Sequence, residues 1–142
     1  IVDYAHTPDA LAKALRAARR HCRGRLRVVF GCGGDRDPGK RPLMGEIAAE
    51  LADESVVTDD NPRSEPPGKI VREILAGIPG GAAARVEHDR ALAIRATLTR
   101  SGPEDVVLIA GKGHEEYQIY GRERRPFSDQ DVARAVLQAM RP

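Results

Sequence analysis

The sequence contains no tryptophan, two phenylalanines, three tyrosines and two cysteines in 142 residues. So few rings leave little on which bases could stack. The 23 basic and 21 acidic residues are interspersed rather than blocked, so no basic stripe forms and nucleic-acid binding is not expected. Cys22 and Cys32 have neither CxxC nor histidine spacing, which reads as free thiols in a reducing cytoplasm. The longest apolar runs, such as Val106–Ala110, are strand-sized and fall well short of the ~20 residues that span a bilayer. No secretory leader is recognisable, and no membrane partner is expected. An initiating methionine is lacking too: Ile1-Val2-Asp3-Tyr4 opens directly in strand-like residues, which reads as an excised domain.

What is present is ordinary for a folded chain: 41% hydrophobic and 31% charged residues, with a net charge of +2. The length fits one domain over residues 1–142, large enough to bury a core. Short apolar runs alternate with helical patterns, the mark of βα units. Strands are expected at Ile1–Tyr4, Leu26–Phe30, Ser55–Thr58, Ala82–Glu87 and Val106–Ala110, and a terminal hairpin around Gly121. Helices are expected after Thr7-Pro8, over Leu43–Ala52, over Lys69–Gly77, from Asp89 to Arg100, and from Ser128 to Met140. Thr7, Asp89 and Ser128 are suited to cap three of them. The fold class is therefore α/β, a Rossmann-like three-layer domain whose mostly parallel sheet has about six strands with one antiparallel strand or terminal hairpin.

The chemistry-bearing residues all follow predicted strands: Asp3 to His6, Gly31 to Arg41, Asp59 to Arg63, and Gly111 to Glu115. In an open α/β sheet ligands bind outside the carboxyl ends of the strands, so four loops converge on one edge. Gly34 to Lys40 matches GxxxxGK, but Arg41 stands where a P-loop places a magnesium-binding hydroxyl, and Pro38 removes a backbone donor. Arg36, Lys40 and Arg41 beside glycine amides suit carboxylate or phosphate recognition better, against the blander reading of a solvated basic turn. Asp59-Asp60-Asn61-Pro62-Arg63 sets acids, an amide and a guanidinium within one turn. It can grip a zwitterion, and equally it can be an Asx-turn that reverses the chain. His114 and Glu115 lack a third metal partner.

DYAHTPDAL at Asp3–Leu11, FGCGGDRDPGKRPLM at Phe30–Met44, VTDDNPR at Val57–Arg63 and AGKGHE at Ala110–Glu115 together resemble the C-terminal domain of the Mur ligases. The matching blocks span nearly the whole chain and are highly specific in combination. The resemblance implies a three-domain, ATP-dependent, amide-forming enzyme of peptidoglycan synthesis, with this chain its third domain. The N-terminal UDP-binding and central ATPase domains are absent from it. ATP would convert a carboxylate of UDP-MurNAc-L-Ala-D-Glu to an acyl phosphate, which an incoming amine attacks. Carried over by position, Asp3, Tyr4 and His6 fall on the nucleotide side. Arg36, Asp60, Asn61, Arg63, Gly111 and Glu115 fall on the amino-acid site. Asp60-Asn61-Pro62-Arg63 matches the motif for meso-diaminopimelate, and lysine-adding relatives differ at its arginine. ATP and Mg2+ are expected mainly on the missing central domain, and no metal site is expected in this one. The resemblance also implies a monomer in the cytoplasm that is inactive as an isolated domain; no catalytic residue is assigned. The alternatives are a lysine-adding Mur ligase and a non-catalytic amino-acid- or phosphate-binding module. Folylpolyglutamate synthetase shares the general architecture.

Overall fold

A computed structural model describes all 142 residues. Its elements in chain order are β1 (Val2–Asp3), α1 (Pro8–Arg19), β2 (Leu26–Phe30), α2 (Lys40–Leu51), β3 (Glu54–Val57), α3 (Pro67–Leu75), β4 (Ala84–Val86), α4 (Arg90–Thr99), β5 (Val106–Ala110), β6 (Tyr117–Tyr120), β7 (Glu123–Pro126) and α5 (Asp129–Ala139). The first five strands form one sheet in the order β1-β5-β2-β3-β4, and every pairing in it is parallel. All five residues of β2 are buried, as a strand with both faces covered requires.

Two apolar layers follow from the alternation of side chains along those strands. Leu26, Val28, Phe30 and Leu108 pack with Leu11 and Leu15 of α1, Met44 of α2 and Ile74 of α3 on one face. Val29, Val56, Val107 and Ile109 pack with Ala93 and Ile94 of α4 and Ala133 of α5 on the other. The result is the expected α/β/α sandwich. Three caps form as the sequence implies: Thr7 accepts from the Ala10 amide at 3.2 Å, Asp89 from Leu92 at 3.0 Å and Ser128 from Asp131 at 3.2 Å. Each satisfies an orphan donor of a first helical turn.

The sheet has five strands rather than about six, and antiparallel pairing is confined to the separate β6–β7 hairpin. The cause lies just beyond β5. Gly111 and Gly113 adopt φ of +117° and +56°, conformations that suit glycine, and they turn the chain away from the sheet. The hairpin edge is taken up by a loop instead: the Arg63 amide donates to the Ile119 carbonyl at 3.0 Å, and the Gly121 amide donates to the Arg63 carbonyl at 2.7 Å. Helix α2 starts three residues before the predicted Leu43, because Pro42 sits in the first turn where its missing N–H is no loss. Helix α3 likewise starts at Pro67, a favoured first helical residue.

Candidate functional site

Because the sheet is parallel, the chain leaves β1, β2, β3 and β5 on the same edge. There the four loops enclose a cavity of about 370 Å³. The loop after β1 contributes Tyr4 and His6, and the loop after β2 contributes Gly33, Arg36, Asp37 and Lys40. The loop after β3 contributes Asp60, Asn61 and Arg63, and the loop after β5 contributes Gly111 and Glu115. Eight of the nine residues expected at the site from the sequence thus face one cavity. Asp3 does not line it. Its carboxylate accepts from the Ala5 amide at 2.8 Å, and its carbonyl accepts from the Gly111 and Gly113 amides at 3.1 and 3.2 Å. It therefore locks the first loop to the fourth from behind.

Arg63 is held with unusual firmness. Its backbone is left-handed, at φ +53°, a conformation that costs a non-glycine residue about 1–2 kcal/mol, and the two hydrogen bonds to the hairpin keep it there. Its guanidinium donates to the Gly34 carbonyl at 2.9 Å, leaving most of its five donors for the cavity. Gly33 and Gly34 make room for this loop. A Cβ on Gly34 would lie 1.8 Å from the Pro62 carbonyl oxygen, and one on Gly33 would lie 2.9 Å from an Arg63 guanidinium nitrogen. Glycine at 34 is therefore a steric requirement of the third loop.

Behind the cavity Lys112, 0% exposed, joins its own loop to the loop after β3 and to the start of β6. Its ammonium donates to Asn61 Oδ1 at 2.8 Å and to the Tyr117 carbonyl at 2.9 Å. It also stands 2.9 Å from Asp60 Oδ1, out of line for a directed hydrogen bond, so that contact is ionic. Asn61 Oδ1 accepts a second bond, from the Ile119 amide at 3.0 Å. The Asn61 carbonyl oxygen is thus fully used inside the protein, and Asn61 braces the site while lining it.

Arg41, grouped above with Arg36 and Lys40 as a ligand-facing cation, is not one. It is buried and spent. It pairs with Glu65 at 2.7 Å and Glu73 at 2.5 Å, and donates to the Gly33 carbonyl at 3.0 Å. Its hydrogen bonds to the Glu65 carboxylate bring that group down to about 2. Arg36 is exposed and Lys40 partly so; Lys40 also donates to the His6 carbonyl at 3.0 Å. Nor are the Gly34–Lys40 amides arranged as a phosphate cradle, because three of them are already bonded within the protein and Pro38 has none. Gly34 N donates to the Asn61 carbonyl at 2.8 Å, Asp35 N to Glu65 at 2.6 Å and Gly39 N to Asp37 at 2.9 Å.

Behind the cavity lies a second pairing that sequence reasoning missed. Arg90 at the start of α4 and Asp129 at the start of α5 are both fully buried and joined by two hydrogen bonds, of 2.7 and 2.8 Å. Burial works against the Arg90 charge, and the hydrogen bonds and charge of Asp129 outweigh it. Arg90 also donates to the Asp59 carbonyl at 3.2 Å and the Ala110 carbonyl at 3.0 Å, which ties the carboxyl ends of β3 and β5 together. Lys112 was missed as well, although a lone lysine between two glycines at the end of a buried strand was the available signal. His114 lies outside the cavity, in a neighbouring cleft with Glu116, Tyr117 and Arg124. Tyr4 packs edge-on to His6 at 4.7 Å and stacks on His114 at 6.5 Å. No group of three or more His, Cys, Asp or Glu residues is placed to hold a metal, and no helix is long and apolar enough to cross a membrane.

Such a cavity, lined by the Arg36 and Arg63 guanidiniums, the Lys40 ammonium and the carboxylates of Asp37, Asp60 and Glu115, is complementary to a zwitterionic amino-acid head. The family model described as "Mur ligase, glutamate ligase domain" matches residues 1–113. The UDP-N-acetylmuramoyl-L-alanyl-D-glutamate–2,6-diaminopimelate ligase of Vibrio vulnificus (strain YJ016) is 56% identical over 137 residues, which is 96% of this chain and 28% of that protein. A solved structure of a ligase of the same name superposes with a TM-score of 0.93 at 45% identity, covering 97% of this chain and 28% of that one. A bifunctional folylpolyglutamate synthase/dihydrofolate synthase from Yersinia pestis shares the fold alone, with a TM-score of 0.57 and 20% identity over 95% of this chain and 27% of that one. The chain therefore spans little more than a quarter of the length of these relatives.

Proposed function

The chain belongs to the Mur ligase family, and on that premise we propose that it is the amino-acid-binding domain of the ATP-dependent ligase that joins meso-diaminopimelate to UDP-MurNAc-L-Ala-D-Glu. One observation carries the choice of amino acid: Arg63 is anchored in a cavity that it shares with the carboxylates of Asp60 and Glu115. Diaminopimelate ends in a second amino-acid head. Arg63 would take its distal carboxylate, and Glu115 with the Gly111 carbonyl would take its distal ammonium. Lysine has the ammonium without the carboxylate and would leave the guanidinium unpaired, which disfavours it.

In the whole enzyme, ATP phosphorylates the terminal carboxylate of the nucleotide-linked peptide. The amine of the bound amino acid then attacks the acyl phosphate carbon, phosphate leaves with the C–O bonding pair, and the amide forms after loss of a proton from nitrogen. Mg2+ would lower the charge repulsion in the phosphoryl step. The internal hydrogen bonds of the Gly34, Asp35 and Gly39 amides, and Arg41 in place of a magnesium-binding hydroxyl, support assigning ATP phosphates and Mg2+ to a central domain outside this chain. Tyr4 and His6, with Asp3 behind them, would meet the nucleotide from this side. The work done here is positioning: holding one amino-acid head so that the other presents its amine. We place the enzyme in the cytoplasm as a monomer, and this chain alone should not turn over.

The test is turnover by the full-length ligase containing this domain, with meso-diaminopimelate and L-lysine as competing acceptors. Preference for diaminopimelate of about tenfold or more is expected from one unpaired charged group. Equal use of the two amino acids, or a preference for lysine, refutes the assignment.

A further inference from the structure

Lys112 is a buried ionisable group beside the cavity that the proposed reaction does not use, and its surroundings are specific. An ammonium has three donors. Two go to Asn61 Oδ1 and the Tyr117 carbonyl, and the charge pairs ionically with Asp60 Oδ1 at 2.9 Å. Fully buried, the ammonium does not line the cavity itself. Without Lys112, Asp60 Oδ1 would be a buried oxygen with no partner at all, since no hydrogen bond reaches it. Glu115 is different. Its nearest oxygen is 3.8 Å from the Lys112 ammonium, outside hydrogen-bond distance, and it lines the cavity.

We propose that Lys112 is a positioning and specificity residue of the amino-acid site, whose buried ammonium neutralises Asp60 and braces Asn61 so that, of the two carboxylates beside it, only Glu115 presents an unpaired negative charge to the ligand's ammonium. The two carboxylates of this wall thus have different duties. Asp60 holds the loop and Glu115 meets the substrate. Charge counting gives the consequence. With Lys112 in place the wall carries a net charge of one unit, matched to one ammonium, while Arg63 stays free for a carboxylate. With Lys112 neutralised, two uncompensated carboxylates compete for Arg63 and favour ligands whose far end is cationic only.

This assignment rests on the reading of the cavity as an amino-acid site, and its test separates the two. In the full-length enzyme, KM for diaminopimelate, KM for ATP, kcat and the preference for diaminopimelate over L-lysine are measured for wild type, Lys112→Met and Asp60→Asn. Lys112→Met should raise KM for diaminopimelate about tenfold or more, and narrow the preference over lysine by a similar factor, as loss of one charge-assisted contact predicts. KM for ATP should stay within about twofold, as for removal of binding confined to one substrate. Asp60→Asn should raise KM for diaminopimelate while widening the preference, because it shifts the wall's charge the opposite way. An unchanged KM for diaminopimelate, or equal losses for both substrates with the preference unmoved, overturns the proposal. Should Lys112→Met fail to fold, Asp60→Asn decides by the same criteria. A wild-type enzyme that uses another amino acid in place of diaminopimelate refutes the reading of the site, and the same comparison run with that amino acid still decides the role of Lys112.

Discussion

Replacing Arg63 with alanine removes the guanidinium and leaves the rest of the cavity wall standing. In the wild type one guanidinium nitrogen donates to the Gly34 carbonyl at 2.9 Å, and the other donors face the cavity. The truncation therefore deletes a ligand-directed ion pair together with one loop contact. A charge-assisted pair of this kind contributes about 1.5–3 kcal/mol, which corresponds to a rise in KM for diaminopimelate of roughly tenfold to a hundredfold. The backbone complicates any simple reading, because alanine at φ +53° remains strained. Arg63→Gly is the control. It loses the same guanidinium and relieves about 1 kcal/mol of left-handed strain, so it should be the more stable variant with the same kinetic defect. Steady-state kinetics on the full-length enzyme, with denaturant melts of both variants, separate the two effects. If KM for ATP rises as much as KM for diaminopimelate, or if the defect follows stability rather than the guanidinium, Arg63 is a structural residue and the assignment of the cavity fails.

Asp129→Asn should destabilise the domain by about 3–5 kcal/mol in urea, the cost of leaving a buried arginine without its counter-charge; a loss under about 1 kcal/mol would show that Arg90 finds solvent or another partner. Acid should loosen the Arg41 anchor. Glu65 titrates at about 2 instead of 4.5, so its contribution is present above the ordinary value and is lost as pH falls from 4.5 towards 2. The urea midpoint should fall across that window in wild type and fall less steeply in Glu65→Gln, and identical slopes would argue against the ion pair.

Legibility in the sequence tracked how local each determinant is. Strands β2 and β5 are read to the residue because a run that is apolar throughout, as in β5, or broken only by Arg27, as in β2, has no other use in so short a segment. Thr7, Asp89 and Ser128 were readable as caps because a cap acts within its own first turn. Arg41 was misread for the opposite reason: its partners Glu65 and Glu73 lie 24 and 32 positions away, and nothing near it in the chain distinguishes a spent arginine from a waiting one. That the hairpin stands apart from the sheet was hidden for a similar reason, since the edge of β6 is satisfied by Arg63 and Asn61, residues of a loop. The convergence of four loops was legible from topology, because parallel strands must all end on one edge. The division of labour inside the cavity was not, because it depends on which carboxylate the buried Lys112 reaches.

That division bears on how the site is organised for binding. The contacts that hold the cavity walls run from one loop of this chain to another: Gly34 to Asn61, Arg63 to the hairpin, Lys112 to Asp60 and Asn61, Asp3 to Gly111. Arg90 and Asp129 fix the strand ends beneath them. A pocket braced this way does not need a neighbouring domain to set its side chains, so little ordering cost is left to be met when the amino acid arrives. What a neighbouring domain must still supply is the electrophile and the exclusion of water around it. Under the proposed function, specificity for the amino acid and activation of the carboxylate sit on separate structural units. A substitution in this cavity should register in amino-acid binding, whereas a substitution that alters domain closure should register in kcat. The internal bracing of Arg63 by Ile119, Gly121 and Gly34 is the physical reason to expect that separation.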